Sequence, residues 1–217
     1  SHTIHLFDIG ESTVEDMLHQ SMLDHENPTI APYAKLGEVQ LRVTASAADE
    51  AEAEALMQPG MEEICALFAD HVYGVDVQDL QHALVGRLQE LGKTIAVAES
   101  CTGGTIASRL TDIAGASQVF LCGAVTYSNE SKQKMLGVSA QTLEQHGAVS
   151  PECALEMARG IRTASGSGIG LSTTGIAGPG GGTPQKPVGL VYVAAVTESQ
   201  EKVLELNLSR GYADQRK

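Results

Sequence analysis

A chain of 217 residues and 22.7 kDa is long enough for one large domain or two small ones, each burying a core without staples. Apolar residues make up 42% and charged residues 19%, which excludes a chain disordered throughout. The formal charge of −13 is concentrated in residues 1–75, where 14 acids meet only Lys35 and Arg42, while residues 76–217 set 13 acids against 12 bases.

That step in composition predicts two modules, 1–75 and 76–217. A module so acidic repels nucleic acid and anionic membranes, since phosphate binding leans on Lys and Arg; a merely solvated acidic face explains the same residues. In the first module, residues 3–9 alternate as a strand. Ser12 then reads as a helix N-cap with Glu15 closing a capping box. Asn27-Pro28 and Ala31-Pro32 break any further helix, and residues 38–45 alternate as a half-buried strand. Residues 47–56 read as an exposed helix, interrupted by Gln58-Pro59-Gly60 and resumed over 61–68. The module is thus expected to be α+β, with few strands and about two helices. An amphipathic helix over 76–91, with Leu80, Leu84, Val85 and Leu88 on one side, leads into the second module.

The second module reads as α/β. Strands are predicted at 94–98, 119–127, 169–176, 188–196 and 202–208, the last two as a hairpin. The first four are apolar enough to be buried on both faces, which requires helices on both sides: a three-layer α/β/α sandwich with a mixed, mostly parallel sheet. Helices are predicted at 103–110, 129–136, 140–146 and 151–163, the last with Ser150 as N-cap and Pro151 in its first turn.

Three of these strands end in polar or Gly-rich segments, which a parallel sheet gathers at one edge. Ser100, in Ala98-Glu99-Ser100-Cys101-Thr102-Gly103-Gly104, is a nucleophile candidate on a strand-to-helix turn whose N–H groups suit an anion or oxyanion; a plain helix cap by Ser100 or Thr102 is the reading this stretch alone favours. In Thr126-Tyr127-Ser128-Asn129-Glu130-Ser131-Lys132, Lys132 would serve as base if burial lowers its pKa, with Tyr127 as proton relay; a solvated lysine on a capping loop is the bland alternative. The segment from Thr174 and Gly175 through Gly178, Gly180, Gly181 and Gly182 reads as a backbone wall beside a ligand or as a flexible loop. Cys101 with His146 is a second nucleophile–base pair to weigh, against a surface His beside Gly147.

The four cysteines, at 65, 101, 122 and 153, show no C-x-x-C spacing, and no His/Cys pattern marks a metal site. With no bilayer-length apolar run and no signal peptide, a cytoplasmic protein with reduced thiols is expected.

These motifs resemble the competence/damage-inducible CinA family over residues 76–210. The resemblance rests on A-E-S-x-T-G-G (98–104), T-Y-S-N-x-x-K (126–132), H-G-A-V-S (146–150), G-I-A-G-P-x-G-G (175–182) and K-P-V-G (186–189). Gly10-Glu11-Ser12 and Pro32-Tyr33-Ala34-Lys35 resemble the family's KH-like middle domain. The long family form carries a further N-terminal domain, and family domains continue past Lys217 with a basic terminal helix; neither is in this sequence. The resemblance implies a nicotinamide mononucleotide deamidase that needs no cofactor. Ser100 is then the nucleophile, Tyr127 and Lys132 the activating pair, and Thr102, Gly103, Gly104, Asn129, Thr174, Gly175, Gly178, Gly180, Gly181 and Lys186 the substrate contacts. The expected partner is a small mononucleotide, with no nucleic acid or membrane, in a homo-oligomer. A non-catalytic assembly module of the competence or DNA-damage response is the alternative. For residues 1–75, the absence of G-x-x-G spacing argues against a nucleic-acid grip.

Overall fold

The computed structural model describes residues 1–18, 26–35 and 37–208. The chain forms two units, residues 1–84 and 85–217.

The first unit is a four-stranded antiparallel sheet, order β2-β3-β1-β4, built from β1 (His2–Phe7), β2 (Thr29–Lys35), β3 (Glu38–Thr44) and β4 (Val72–Val75). Register pairs Ile4 with Leu41 and Leu6 with Val39. Alternation turns these residues to one face, where α1 (Glu11–Met17) and α2 (Glu50–Leu67) cover them with Val14, Met57 and Ile64, joined by Phe68.

Several expectations are corrected here. The described residues add β2 and β4 to the two strands that the sequence marked: β2 tolerates Pro32 because it is an edge strand, where a missing N–H breaks no inner ladder. α2 does not stop at Pro59. It runs on to Leu67 because Met57 and Ile64, on either side of the proline, are both buried in the same core. Ser12 is not the cap of α1; the chain enters the helix at Glu11 from an extended Gly10, with no side-chain cap. The helix expected from residue 76 is α3 (Leu80–Glu90). Asp76 instead takes a left-handed φ of 55° and accepts the Thr3 N–H at 2.7 Å, and Asp79 Oδ1 accepts the His82 N–H at 2.9 Å.

The second unit is a five-stranded mixed sheet, order β6-β5-β7-β8-β9: β5 (Ile95–Glu99), β6 (Phe120–Val125), β7 (Ile169–Gly175), β8 (Leu190–Val196) and β9 (Glu201–Asn207). β5 runs parallel to β6 and to β7, and β7-β8 and β8-β9 are antiparallel, the last pair forming the expected hairpin. All five residues of β5 are buried. Ile95 and Val97 face α3 and α4 (Thr105–Thr111), while Ala96 and Ala98 face α5 (Asn129–Leu136) and α7 (Pro151–Ser165). The short α6 (Ala140–Gln145) links α5 to α7. Small residues let the layers close: a Cβ on Gly160 of α7 would lie 1.9 Å from the Leu136 carbonyl oxygen. Ser150 caps α7 by accepting the Cys153 N–H, with Pro151 in the first turn as expected.

One strand departs from the prediction. β6 is not buried on both faces; it is an edge, with Leu121 and Val125 47% and 48% exposed. The seven-residue α4 is too short to cover it, and Leu121, Gly123 and Val125 on that face stay exposed. The basic terminal helix expected from the family resemblance lies outside the described residues.

Candidate active site

β5, β6 and β7 are parallel, so their carboxyl ends lie on one side of the sheet. Ser100 follows β5 directly and extends its pairing, its N–H donating to the Thr173 carbonyl of β7 at 3.0 Å. On the other side the Thr126 N–H donates to the Glu99 carbonyl at 2.8 Å. The chain then leaves the sheet through Gly103 and Gly104, at φ 61° and 98°, a pair of left-handed residues that a side chain would strain. Ser100 is therefore held on a tight strand-to-helix turn and is only 8% exposed.

Lys132 reaches it from α5. Ser128 caps that helix by accepting the Ser131 N–H, which sets the register that turns Lys132 inward. Lys132 is 1% exposed, among the most deeply buried large side chains of the chain. Its Nζ lies 3.1 Å from Ser100 Oγ, 2.7 Å from the Thr126 carbonyl and 3.4 Å from the Tyr127 carbonyl. No carboxylate bonds to it among the described residues. Burial therefore lowers its pKa from the ordinary lysine value, with the neighbouring thiols of Cys153 and Cys101 pulling weakly the other way. The result is an amine poised toward its neutral form, touching a serine hydroxyl: the pair a serine amidase of the Ser-Lys type requires.

The thiol alternative is poorer. Burial raises the pKa of Cys101, outweighing its own N–H, the Lys132 charge and the Thr102 N–H. Cys153 is pushed up to about 11, again by burial. His146 has no hydrogen bond to Cys101; its Nδ1 lies 3.6 Å from a Glu152 carboxylate oxygen on the surface. A thiol kept protonated without a base is not a nucleophile.

The remaining predicted residues divide. Tyr127 is 77% exposed and meets Lys132 through its carbonyl, so its ring is not part of the hydrogen-bonded centre. Thr102 Oγ1 bonds Thr173 Oγ1 at 2.8 Å, tying the turn to β7. Asn129 opens α5 and is exposed. Thr174 Oγ1 donates to the Ala148 carbonyl at 2.7 Å, and Lys186 Nζ donates to the carbonyls of His146 and Val149 at 2.6 and 2.7 Å. Lys186 and Thr174 thus hold the 146–150 loop. Gly175, Gly178 and Gly182 pack closely against Leu190, Val191 and Val188, whereas Gly180 and Gly181 are exposed. None of the residues from Gly175 to Lys186 hydrogen-bonds Ser100 or Lys132 among the described residues. Sequence reasoning passed over Glu99, whose buried carboxylate accepts N–H groups of α4, and Thr126, whose Oγ1 is buried without a hydrogen-bond partner among the described residues. A glutamate ending an otherwise apolar buried strand was the signal available for the first. No cluster of three His, Cys, Asp or Glu suited to a metal occurs among the described residues.

Residues 77–217 match the CinA C-terminal domain and residues 1–74 match the damage-inducible protein CinA KH domain. The chain belongs to the CinA family. A CinA-like protein of Kosmotoga olearia is 47% identical to this CinA chain over 208 residues, 96% of the chain and 50% of the relative. A Clostridium perfringens protein with a provisional competence-damage inducible name is 51% identical over 207 residues, 95% of the chain and 50% of the relative. The chain spans about half the length of the curated relatives it matches. Among solved structures, the competence/damage inducible protein CihA of Agrobacterium tumefaciens is similar with a TM-score of 0.57 and 44% identity, covering 58% of this chain and 78% of its own. A CinA superfamily protein of Escherichia coli gives 0.58 and 34%, covering 59% and 75%. No helix among the described residues is long and apolar enough to cross a membrane.

Proposed function

We propose that the C-terminal unit is a serine amide hydrolase, and that it deamidates nicotinamide mononucleotide to nicotinic acid mononucleotide and ammonia. The buried Lys132 amine, 3.1 Å from the Ser100 hydroxyl, carries the reading. A neutral amine has two N–H donors and one lone pair. The Thr126 and Tyr127 carbonyls take the two donors, which leaves the lone pair for the Ser100 proton. Lys132 takes that proton as Ser100 Oγ attacks the carboxamide carbon. The tetrahedral intermediate collapses as Lys132 returns the proton to the departing nitrogen, releasing ammonia and leaving an ester on Ser100. Water, deprotonated by the same amine, attacks the ester and releases the carboxylic acid and Ser100.

The amide-hydrolase class rests on this geometry; the mononucleotide substrate rests on the motif resemblance. Lys186 is the proposed phosphate contact, and Tyr127, exposed beside the centre, is a contact for the pyridine ring rather than the base. The first unit serves as a spacer or assembly surface with no nucleic-acid grip. Ammonia release from nicotinamide mononucleotide tests the reading: the chain is expected to turn over and Ser100→Ala to lose the activity. Equal rates for the two proteins, or activity lost only in Cys101→Ala, would overturn it. A chain that releases no ammonia and gives no covalent adduct at Ser100 would leave the assembly role as the better account.

A further inference from the structure

Glu99 is 1% exposed and lies immediately before the nucleophile. Its carboxylate is fully engaged. Oε2 accepts the N–H groups of Gly104 at 3.0 Å and Ile106 at 3.2 Å, and Oε1 accepts that of Ala107 at 2.8 Å. The turn between strand and helix is thus closed on itself by the residue that precedes it. An oxyanion recruited by the start of α4 would have to displace this carboxylate, which occupies the donors first.

The other amides of the turn can be accounted for individually. The Ser100 N–H donates to Thr173, that of Gly103 to the Ser100 carbonyl, and that of Thr105 to the Thr102 carbonyl. Those of Cys101 and Thr102 donate to no other residue among the described residues. In a strand-to-helix elbow, the N–H of the residue after the nucleophile is where an acyl oxyanion is received.

We infer that Glu99 is a positioning residue for this reaction: by gathering the Gly104, Ile106 and Ala107 amides it fixes the turn so that the N–H groups of Cys101 and Thr102 receive the oxyanion. The inference rests on the amide-hydrolase reading above. Glu99 itself transfers no proton, because both its oxygens are occupied as acceptors.

The test compares wild type, Glu99→Gln and Glu99→Asp in the full chain. Glutamine keeps the length but turns one NH2 group toward backbone donors; aspartate keeps the charge but falls short of the helix. Two readouts are used: kcat and KM for ammonia release from nicotinamide mononucleotide, and the rate of covalent labelling of Ser100 by an alkyl fluorophosphonate, which needs the nucleophile and the oxyanion donors but not the natural substrate. A misplaced oxyanion donor costs about 100-fold in rate. Glu99→Gln is therefore expected to lose about 100-fold in kcat and in labelling rate, with KM within about 3-fold and the alkaline rise of the pH–rate profile unmoved; Glu99→Asp is expected in between. Wild-type labelling by Glu99→Gln would overturn the inference. So would a joint change in KM and in the pH profile, which marks general loosening of the site, or failure of both variants to fold, which makes Glu99 a scaffold residue only. Wild type that labels at Ser100 yet releases no ammonia removes the proposed substrate while the labelling ratios still decide Glu99. Wild type that does neither removes both.

Discussion

The two units bury different chemistry. The core of the first is built from large apolar side chains such as Ile4, Leu41, Met57 and Phe68, and its sole buried polar residue among those described is His5. The second buries Glu99, Ser100, Thr126, Lys132, Ser172, Thr173 and Thr174, at or near the ends of β5, β6 and β7, beside a core rich in alanine. Polar groups inside a protein lose stability unless paired, so a fold concentrates them where they are used. Among the described residues, the first unit places its charge at the surface and the second places polarity inside.

The comparison breaks first if the buried polar cluster is not catalytic. Ser100→Ala should reduce ammonia release by at least about 10³-fold while far-ultraviolet circular dichroism is unchanged, since the loss of a nucleophile far exceeds that of a single hydrogen bond. Lys132→Met should be nearly as inactive, and the double variant no worse than either alone, because the two residues act as a unit. The same lysine carries a stability signature. Its folded pKa is depressed by burial, so between that value and the unfolded value of about 10.4 the unfolded chain binds more protons, and stability rises with pH across that window. Catalysis, needing the neutral amine, should rise with pH through the depressed folded pKa. Denaturant melts at several pH values should show the slope in wild type and its loss in Lys132→Met, which should also be the more stable protein near neutrality.

In the first unit, removing bulk should act on stability alone. Phe68→Ala should cost about 3–5 kcal/mol in that unit's unfolding, read by calorimetry, with ammonia release well below the melting temperature retained. A parallel loss of activity would show that the division of labour is wrong. The smallest effect is expected at Pro59, inside α2, where Pro59→Ala restores an N–H facing the Ala55 carbonyl and should raise stability by up to about 3 kcal/mol, an upward shift in melting temperature.

What could be read from the sequence follows the same division. Four strands of the second unit were legible as short apolar runs bounded by turn chemistry and the fifth as the partner of a hairpin, and Ser150-Pro151 marked the start of α7 unambiguously. β2 was not, because Pro32 counts against a strand until its edge position is known. The continuity of α2 was hidden for a related reason: a proline's local penalty is visible in sequence, while the burial of Met57 and Ile64 that overrides it is not. At the site, Ser100 and Lys132 were named from their segments, but their 3.1 Å contact depends on a helix register set by Ser128. Tyr127 shows the limit of motif reasoning. Position in a motif does not say which atoms face inward, and there it is the carbonyl rather than the ring. Glu99 was missed because its partners are backbone amides, which have no sequence signature, so its place at the end of an apolar strand was the sole signal.

The glycine at the crossing of α5 and α7 has a further consequence. With Gly160 bare, the Leu136 carbonyl of α5 rests almost on the α7 backbone, and a Cβ there would lie 1.9 Å from that oxygen. Lys132 is carried one helical turn before Leu136 on the same short helix. Any side chain at 160 would force α5 and α7 apart at this contact, one turn from the lysine that meets the serine. On the proposed chemistry, the spacing of Ser100 and Lys132 thereby depends on a backbone contact away from both, and a variant at position 160 is expected to lose ammonia release before it loses its fold.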